Sequence, residues 1–113
     1  MHELSLCRSI LDIINEQIAT RPGLRVKKIG LDIGQLAAVD QDALRFSFEV
    51  VTQGTVAEAA CLEIAAIEGQ AICDVCQKTI PLKRYDDACQ SCGQFSLTVT
   101  QGEELRVTFL EVE

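Results

Sequence analysis

Two short cysteine pairs, Cys73-Asp-Val-Cys76 and Cys89-Gln-Ser-Cys92-Gly93, stand 12 residues apart in a chain of 113. Each C-x-x-C puts two thiolates on one tight turn, and Gly93 lets the backbone curl around the second pair of sulfurs. Two such turns offer four soft ligands to a single tetrahedral ion. Four thiolates suit Zn²⁺ at about 2.3 Å and leave no coordination position open, so the site reads as structural. A redox C-x-x-C needs one pair, not two. An iron centre of rubredoxin type shares the ligand set and stands as the alternative metal. The stretch 69–102 holds four of the six cysteines, three of the seven glycines and one of the two prolines. Its 34 residues cannot sustain a core alone, and a metal staple explains how such a lobe exists.

On either side of this stretch the apolar pattern describes an α/β body. Leu4, Cys7, Leu11, Ile14 and Ile18 recur at helical spacing, and Pro22-Gly23 stops the helix. Residues 25–33 read as a strand, with Ile29, Leu31 and Ile33 alternating with Lys28, Gly30 and Asp32. Asp40 is a good N-cap for a second helix with the stripe Leu44, Phe48, Val51, and Gly54 can end it in a left-handed cap. Leu62, Ile64 and Ala66 mark another strand, and Leu105, Val107 and Phe109 alternate with Arg106 and Thr108 in a third. Inside the lobe Phe95, Leu97 and Val99 alternate with Ser96, Thr98 and Thr100. The expected fold is α+β. Two helices on a three-stranded sheet form a small α/β domain at residues 1–68 and 103–113, and a four-cysteine zinc-ribbon lobe is inserted at 69–102.

Charge narrows the function classes. Ten basic residues face 17 acidic ones, and the net charge of −7 argues against a phosphate-backbone binder. Aromatics make up 4% of the chain without any Trp, which argues against a base-stacking platform. Between Cys73 and Cys92, Lys78, Lys83 and Arg84 only balance Asp74, Asp86 and Asp87, so the lobe lacks the basic surplus of a nucleic-acid ribbon. So short a chain has little room for a walled substrate cavity, and no enzyme activity is expected. It has no G-x-x-x-x-G-K-[ST] loop either, so any nucleotide-driven step falls to a partner. Met1-His2-Glu3-Leu4 carries an acid where a secretory signal carries basic residues, and no stretch approaches the roughly 20 apolar residues of a membrane span. Six cysteines without such a signal point to a reducing compartment, the cytoplasm. Cys7, on the helical stripe, and Cys61, at a strand start, read as small buried hydrophobes.

The first three residues offer a second donor set. A large second residue such as His2 leaves the initiator Met in place. The free Met1 amine, the His2 backbone nitrogen and its imidazole Nδ1 can then close adjacent chelate rings. A donor from Glu3 completes a square plane, which suits Ni²⁺ or Cu²⁺ better than Zn²⁺. The plain alternative is a frayed terminus with a solvated imidazole. Asp40 faces the same contest, its plain role being the helix cap.

Met-His-Glu-Leu-Ser-Leu at 1–6, Leu44-Arg-Phe-Ser-Phe-Glu-Val-Val-Thr-Gln-Gly-Thr, the two cysteine pairs and Glu104-Leu-Arg-Val-Thr-Phe-Leu-Glu resemble the HypA/HybF family. That family comprises hydrogenase nickel-incorporation proteins, and the resemblance covers essentially the whole chain. It implies a nickel metallochaperone that helps load the NiFe-hydrogenase centre, and in some organisms urease. It implies an α/β nickel domain interrupted by a zinc ribbon. His2 matches the nickel-binding histidine, Glu3 the adjacent acid, and Cys73, Cys76, Cys89 and Cys92 the zinc ligands. Asp40 is a lesser candidate for the nickel neighbourhood. The implied partners are the accessory GTPase HypB and the hydrogenase large subunit, with the chain itself a monomer or weak homodimer. The loop between the cysteine pairs has no histidine, so members that sense acid through cysteine-flanking histidines are no guide here. Two other classes stay open: an iron electron-transfer ribbon, and a zinc-ribbon interaction subunit without a nickel role.

Overall fold

The computed structural model describes residues 3–113. In chain order it contains α1 (Glu3–Ile18), β1 (Val26–Gly34), a single 3-10 turn (Gln35–Ala37) and α2 (Gln41–Val51). Strands β2 (Cys61–Ile67), β3 (Gln70–Cys73), β4 (Thr79–Pro81), β5 (Leu97–Gln101) and β6 (Leu105–Val112) follow. This is the expected α+β architecture. Two three-stranded sheets form, one ordered β2-β1-β6 and the other β4-β3-β5. No helix among the described residues is long and apolar enough to cross a membrane.

The chain divides into two compact units, and strands β1, β2 and β6 contribute residues to both. One unit takes the chain through Leu31, Val39–Ile64 and Val107–Glu113. Its two helices pack together along the stripes read from the sequence, except that Leu4 is exposed. Cys7, Ile10 and Ile14 are buried on α1, Leu44 and Phe48 on α2. Cys7 donates its thiol hydrogen to the Leu44 carbonyl at 3.4 Å, joining the two helices where they pack. Asp40 starts α2 as expected: its Oδ1 accepts from the backbone N–H groups of Asp42 at 3.0 Å and Ala43 at 3.1 Å. Two of the four donors that every helix N-terminus leaves free are thereby satisfied.

Three local expectations are corrected. Helix α2 ends not in a left-handed Gly54 but at Thr52, which keeps right-handed dihedrals. The Thr52 hydroxyl donates to the Phe48 carbonyl at 2.8 Å, so a side chain closes the last turn, and Gly54 bends the loop beyond it. Cys61 is exposed, not buried. Strand β2 alternates inward at Leu62 and outward at Cys61 and Glu63, so the period of two that buries the leucine exposes the thiol. Phe109 also leaves the inner face. Leu105, Val107 and Leu110 are half-buried while Thr108 and Phe109 are both exposed, a slip of one residue in the alternation. Both side chains crowd the place where a Cβ would stand on Gly30, so the aromatic ring covers a glycine rather than joining the core.

The other unit comprises Asp32–Ala38 and Ala65–Arg106. Strand β3 pairs antiparallel with β4 (Ala71 opposite Ile80) and with β5 (Ile72 opposite Thr98), with a register irregularity at Gln70/Ala71. Its small core is Leu36, Ala71, Ile80 and Leu82 with the sulfurs of Cys73 and Cys89, and Leu97 and Val99 pack on it. Three glycines let backbones touch beside it. A Cβ on Gly34 would overlap the Gly102 carbonyl, and one on Gly69 would overlap the Leu82 carbonyl. The same approach is stitched by Leu36 N–H donating to Gly102 O and Leu82 N–H donating to Gly69 O, both at 2.8 Å. Arg106 forks onto Asp32 Oδ2 through Nη2 at 2.9 Å and Nε at 3.1 Å.

Candidate metal centre

The two C-x-x-C turns share one pair of closing backbone hydrogen bonds. In the first, Gln77 N–H donates to Cys73 O at 2.8 Å and Cys73 N–H to Lys78 O at 3.0 Å. In the second, Gly93 N–H donates to Cys89 O and Cys89 N–H to Gln94 O, both at 2.8 Å. Each turn needs a left-handed residue directly after its second cysteine. Gly93 fills that place at φ +77°, as the sequence suggested, whereas the first turn uses Gln77 at φ +65°. A non-glycine residue in this region is strained. Gln77 is held there by its own amide, whose Nε2 donates to the Asp74 carbonyl at 3.0 Å. Residue spacing carried no signal for that glutamine.

The paired turns bring all four sulfurs within 4.8 Å of one another. Across the turns, Cys73 Sγ lies 3.5 Å from Cys92 Sγ and Cys76 Sγ lies 3.7 Å from Cys89 Sγ. Four ligands at about 2.3 Å from a tetrahedral centre stand about 3.8 Å apart, so the spacing fits a zinc ion with four sulfur ligands. Cys73 and Cys89 are buried, Cys76 is half-buried and Cys92 is exposed.

The electrostatics fit a cation too. Backbone N–H groups of Cys76 and Val75 hold the Cys73 thiol below its usual range. Those of Cys92 and Ser91 bring Cys89 down to about 7. The Gln94 amide pulls Cys92 the same way, but desolvation and the three neighbouring sulfurs push it up to about 12. Such a cluster favours thiolates yet resists carrying four of them bare. A divalent ion bound there supplies the missing positive charge and cross-links the two turns.

Among the described residues no other group of three or more His, Cys, Asp or Glu gathers in this way. Of the expected nickel donors, Met1 and His2 lie outside the described residues. Glu3 is half-buried in the first turn of α1, and its charge reaches Cys7 four residues on. Asp40 is exposed and its carboxylate is engaged in capping α2. Cys7 is buried, and Cys61 is free on the surface.

Comparison with known proteins gives one family throughout. The family model described as hydrogenase/urease nickel incorporation, metallochaperone, HypA matches residues 1–112. Hydrogenase maturation factor HypA of Legionella pneumophila (strain Lens) is 54% identical over 113 residues, all of both chains. The proteins of that name from Acidithiobacillus ferrooxidans and Azotobacter vinelandii are 50% and 46% identical over the same full length. Among solved structures, the solution structure of the Ni metallochaperone HypA from Helicobacter pylori superposes with a TM-score of 0.67 at 24% identity. That match covers 98% of this chain and 97% of the other, and it shows a shared fold. With one family model spanning nearly every residue and relatives about half identical end to end, the chain belongs to the HypA family of hydrogenase/urease nickel-incorporation metallochaperones.

Proposed function

We propose that this protein captures Ni²⁺ at its amino terminus and delivers it to the NiFe-hydrogenase large subunit together with the partner GTPase HypB. The Met1 amine, the His2 imidazole and backbone nitrogen and a Glu3 donor form the nickel site. Residues 1–68 and 103–113 make the nickel-carrying domain, and residues 69–102 the zinc-ribbon domain. Cys73, Cys76, Cys89 and Cys92 hold a structural Zn²⁺ and take no part in nickel transfer. Asp40 belongs at most to the surroundings of the nickel. The protein carries its cargo without catalysing a reaction, and works in the cytoplasm.

The observation that carries this reading is the family match over residues 1–112, which takes in the Met-His-Glu start and both cysteine pairs. Physical chemistry supports the division of labour. Four thiolates close a tetrahedron and bind too completely for a cargo site, whereas a nitrogen-rich terminal chelate exchanges ligands readily and prefers planar coordination. Copper binds such donors more tightly than nickel, so selectivity must come from metal supply and from the geometry of the acceptor. The net charge of −7 favours encounter with basic partner surfaces in a salt-dependent manner.

Blocking the terminal amine tests the donor set directly. Protein extended by an amino-terminal tag should bind Ni²⁺ at least tenfold more weakly in calorimetry than protein starting at Met1. Equal affinity would place the nickel on other ligands.

A further inference from the structure

Asp74 sits between the two ligands of the first turn, and every polar group it has is bonded. Its Oδ1 accepts from the Thr98 hydroxyl at 2.8 Å and its Oδ2 from the Ser96 hydroxyl at 3.0 Å. Its N–H donates to Ser96 O at 2.8 Å, and its carbonyl accepts from Gln77 Nε2 at 3.0 Å. Ser96 and Thr98 belong to β5 and its approach, and the β5 residue between them, Leu97, pairs with Cys73. The carboxylate therefore pins the first turn to the strand beside it, while the carbonyl bond holds Gln77 in its left-handed conformation.

The second turn has no counterpart. Among the described residues no side-chain hydrogen bond involves Gln90 or Ser91, and the left-handed place is taken by Gly93, which has no side chain to anchor it as Gln77 is anchored. Exposure runs the same way, with Cys92 exposed where Cys76 is half-buried. Two turns closed by the same pair of backbone hydrogen bonds thus differ in what restrains them.

We propose that Asp74 is a positioning residue that keeps the first turn in its ligating shape, so that the four-sulfur site gives up its ion from the second turn, Cys92 leading. This rests on reading the four sulfurs as a metal centre. Outer groups that hold ligands in place typically change metal affinity by about tenfold or more when removed. Asp74 does so through the backbone of Cys73 and Cys76, without touching the ion.

The experiment uses the zinc-loaded full chain, EDTA as competitor and iodoacetamide as a trap, with mass spectrometry reading each cysteine over time. Zinc release is followed separately with a chromophoric chelator. Cys61, exposed on β2, reacts from the start and serves as reference. In the wild type Cys92 should be trapped first, and Cys73 and Cys76 last. Asp74→Ala should release zinc about tenfold faster and erase that order. The pair Ser96→Ala with Thr98→Val should reproduce both effects and add nothing on top of Asp74→Ala, while Asp74→Asn, which keeps an acceptor, should restore most of the rate. Wild-type rate and order in Asp74→Ala, or early trapping of Cys73 and Cys76 in the wild type, would overturn the role given to Asp74. Absence of zinc from the wild type would instead overturn the metal-centre reading on which it rests.

Discussion

Cys7 shows how one buried side chain couples packing to pH. Its thiol is fully buried and bonded to the Leu44 carbonyl. Desolvation first, and the Glu3 carboxylate second, push its pKa from 9.0 up to about 11. The folded state therefore holds this proton more tightly than the unfolded chain does. The resulting stability is complete below about pH 9 and is lost as pH rises through about 11. Comparing wild type with Cys7→Ala by urea denaturation should show about 2 kcal/mol of extra wild-type loss between those pH values. A parallel fall in both proteins would mean that Cys7 ionises freely when folded. The burial of Cys7 was legible from its place on the helical stripe. The exposure of Cys61 was not, because a residue opening a strand can face either way until the neighbouring leucine is assigned inward.

At the scale of elements, α2 separates a structural role from a chemical one. Asp40 caps the helix through two backbone N–H groups. Asp40→Ala should cost about 1 kcal/mol of thermal stability, and Asp40→Asn, an equally good cap, should recover it. Nickel affinity that stays at the wild-type level in Asp40→Asn would leave the cap as the residue's whole task. The crossing of backbones at Gly34, Gly69 and Gly102 is less forgiving. Gly69→Ala drives a methyl into the Leu82 carbonyl, which cannot swing aside as a side chain can. It should destabilise the unit that contains the four sulfurs by about 3 kcal/mol, read as earlier loss of zinc on heating. A zinc-release midpoint equal to wild type would show that the backbone relaxes there. Both helices and the strands of the first sheet were legible from periods of 3.6 and 2. Strands β3 and β4 were not, since four- and three-residue strands are too short to show a period. Nor did any pattern mark Leu36 as part of the small core beneath the sulfurs.

For the whole molecule, the four-sulfur site and the proposed nickel site belong to different chemistry. The four-sulfur site could be read residue by residue, because paired C-x-x-C turns leave few other geometries, and the structure brings the sulfurs to tetrahedral spacing. The proposed nickel site rests on resemblance, since Met1-His2-Glu3 alone fits a solvated terminus better. The proposed delivery of nickel requires one chelate at the start of the chain that is independent of the sulfur cluster. Calorimetric titration of untagged wild type and His2→Ala with Ni²⁺, with zinc counted in both, tests this directly. Each protein should hold one zinc per chain, with tight nickel binding present in the wild type and lost in His2→Ala; unchanged nickel affinity in the variant, or nickel displacing zinc from the cysteines, would mean that the cargo is held elsewhere than at the terminus.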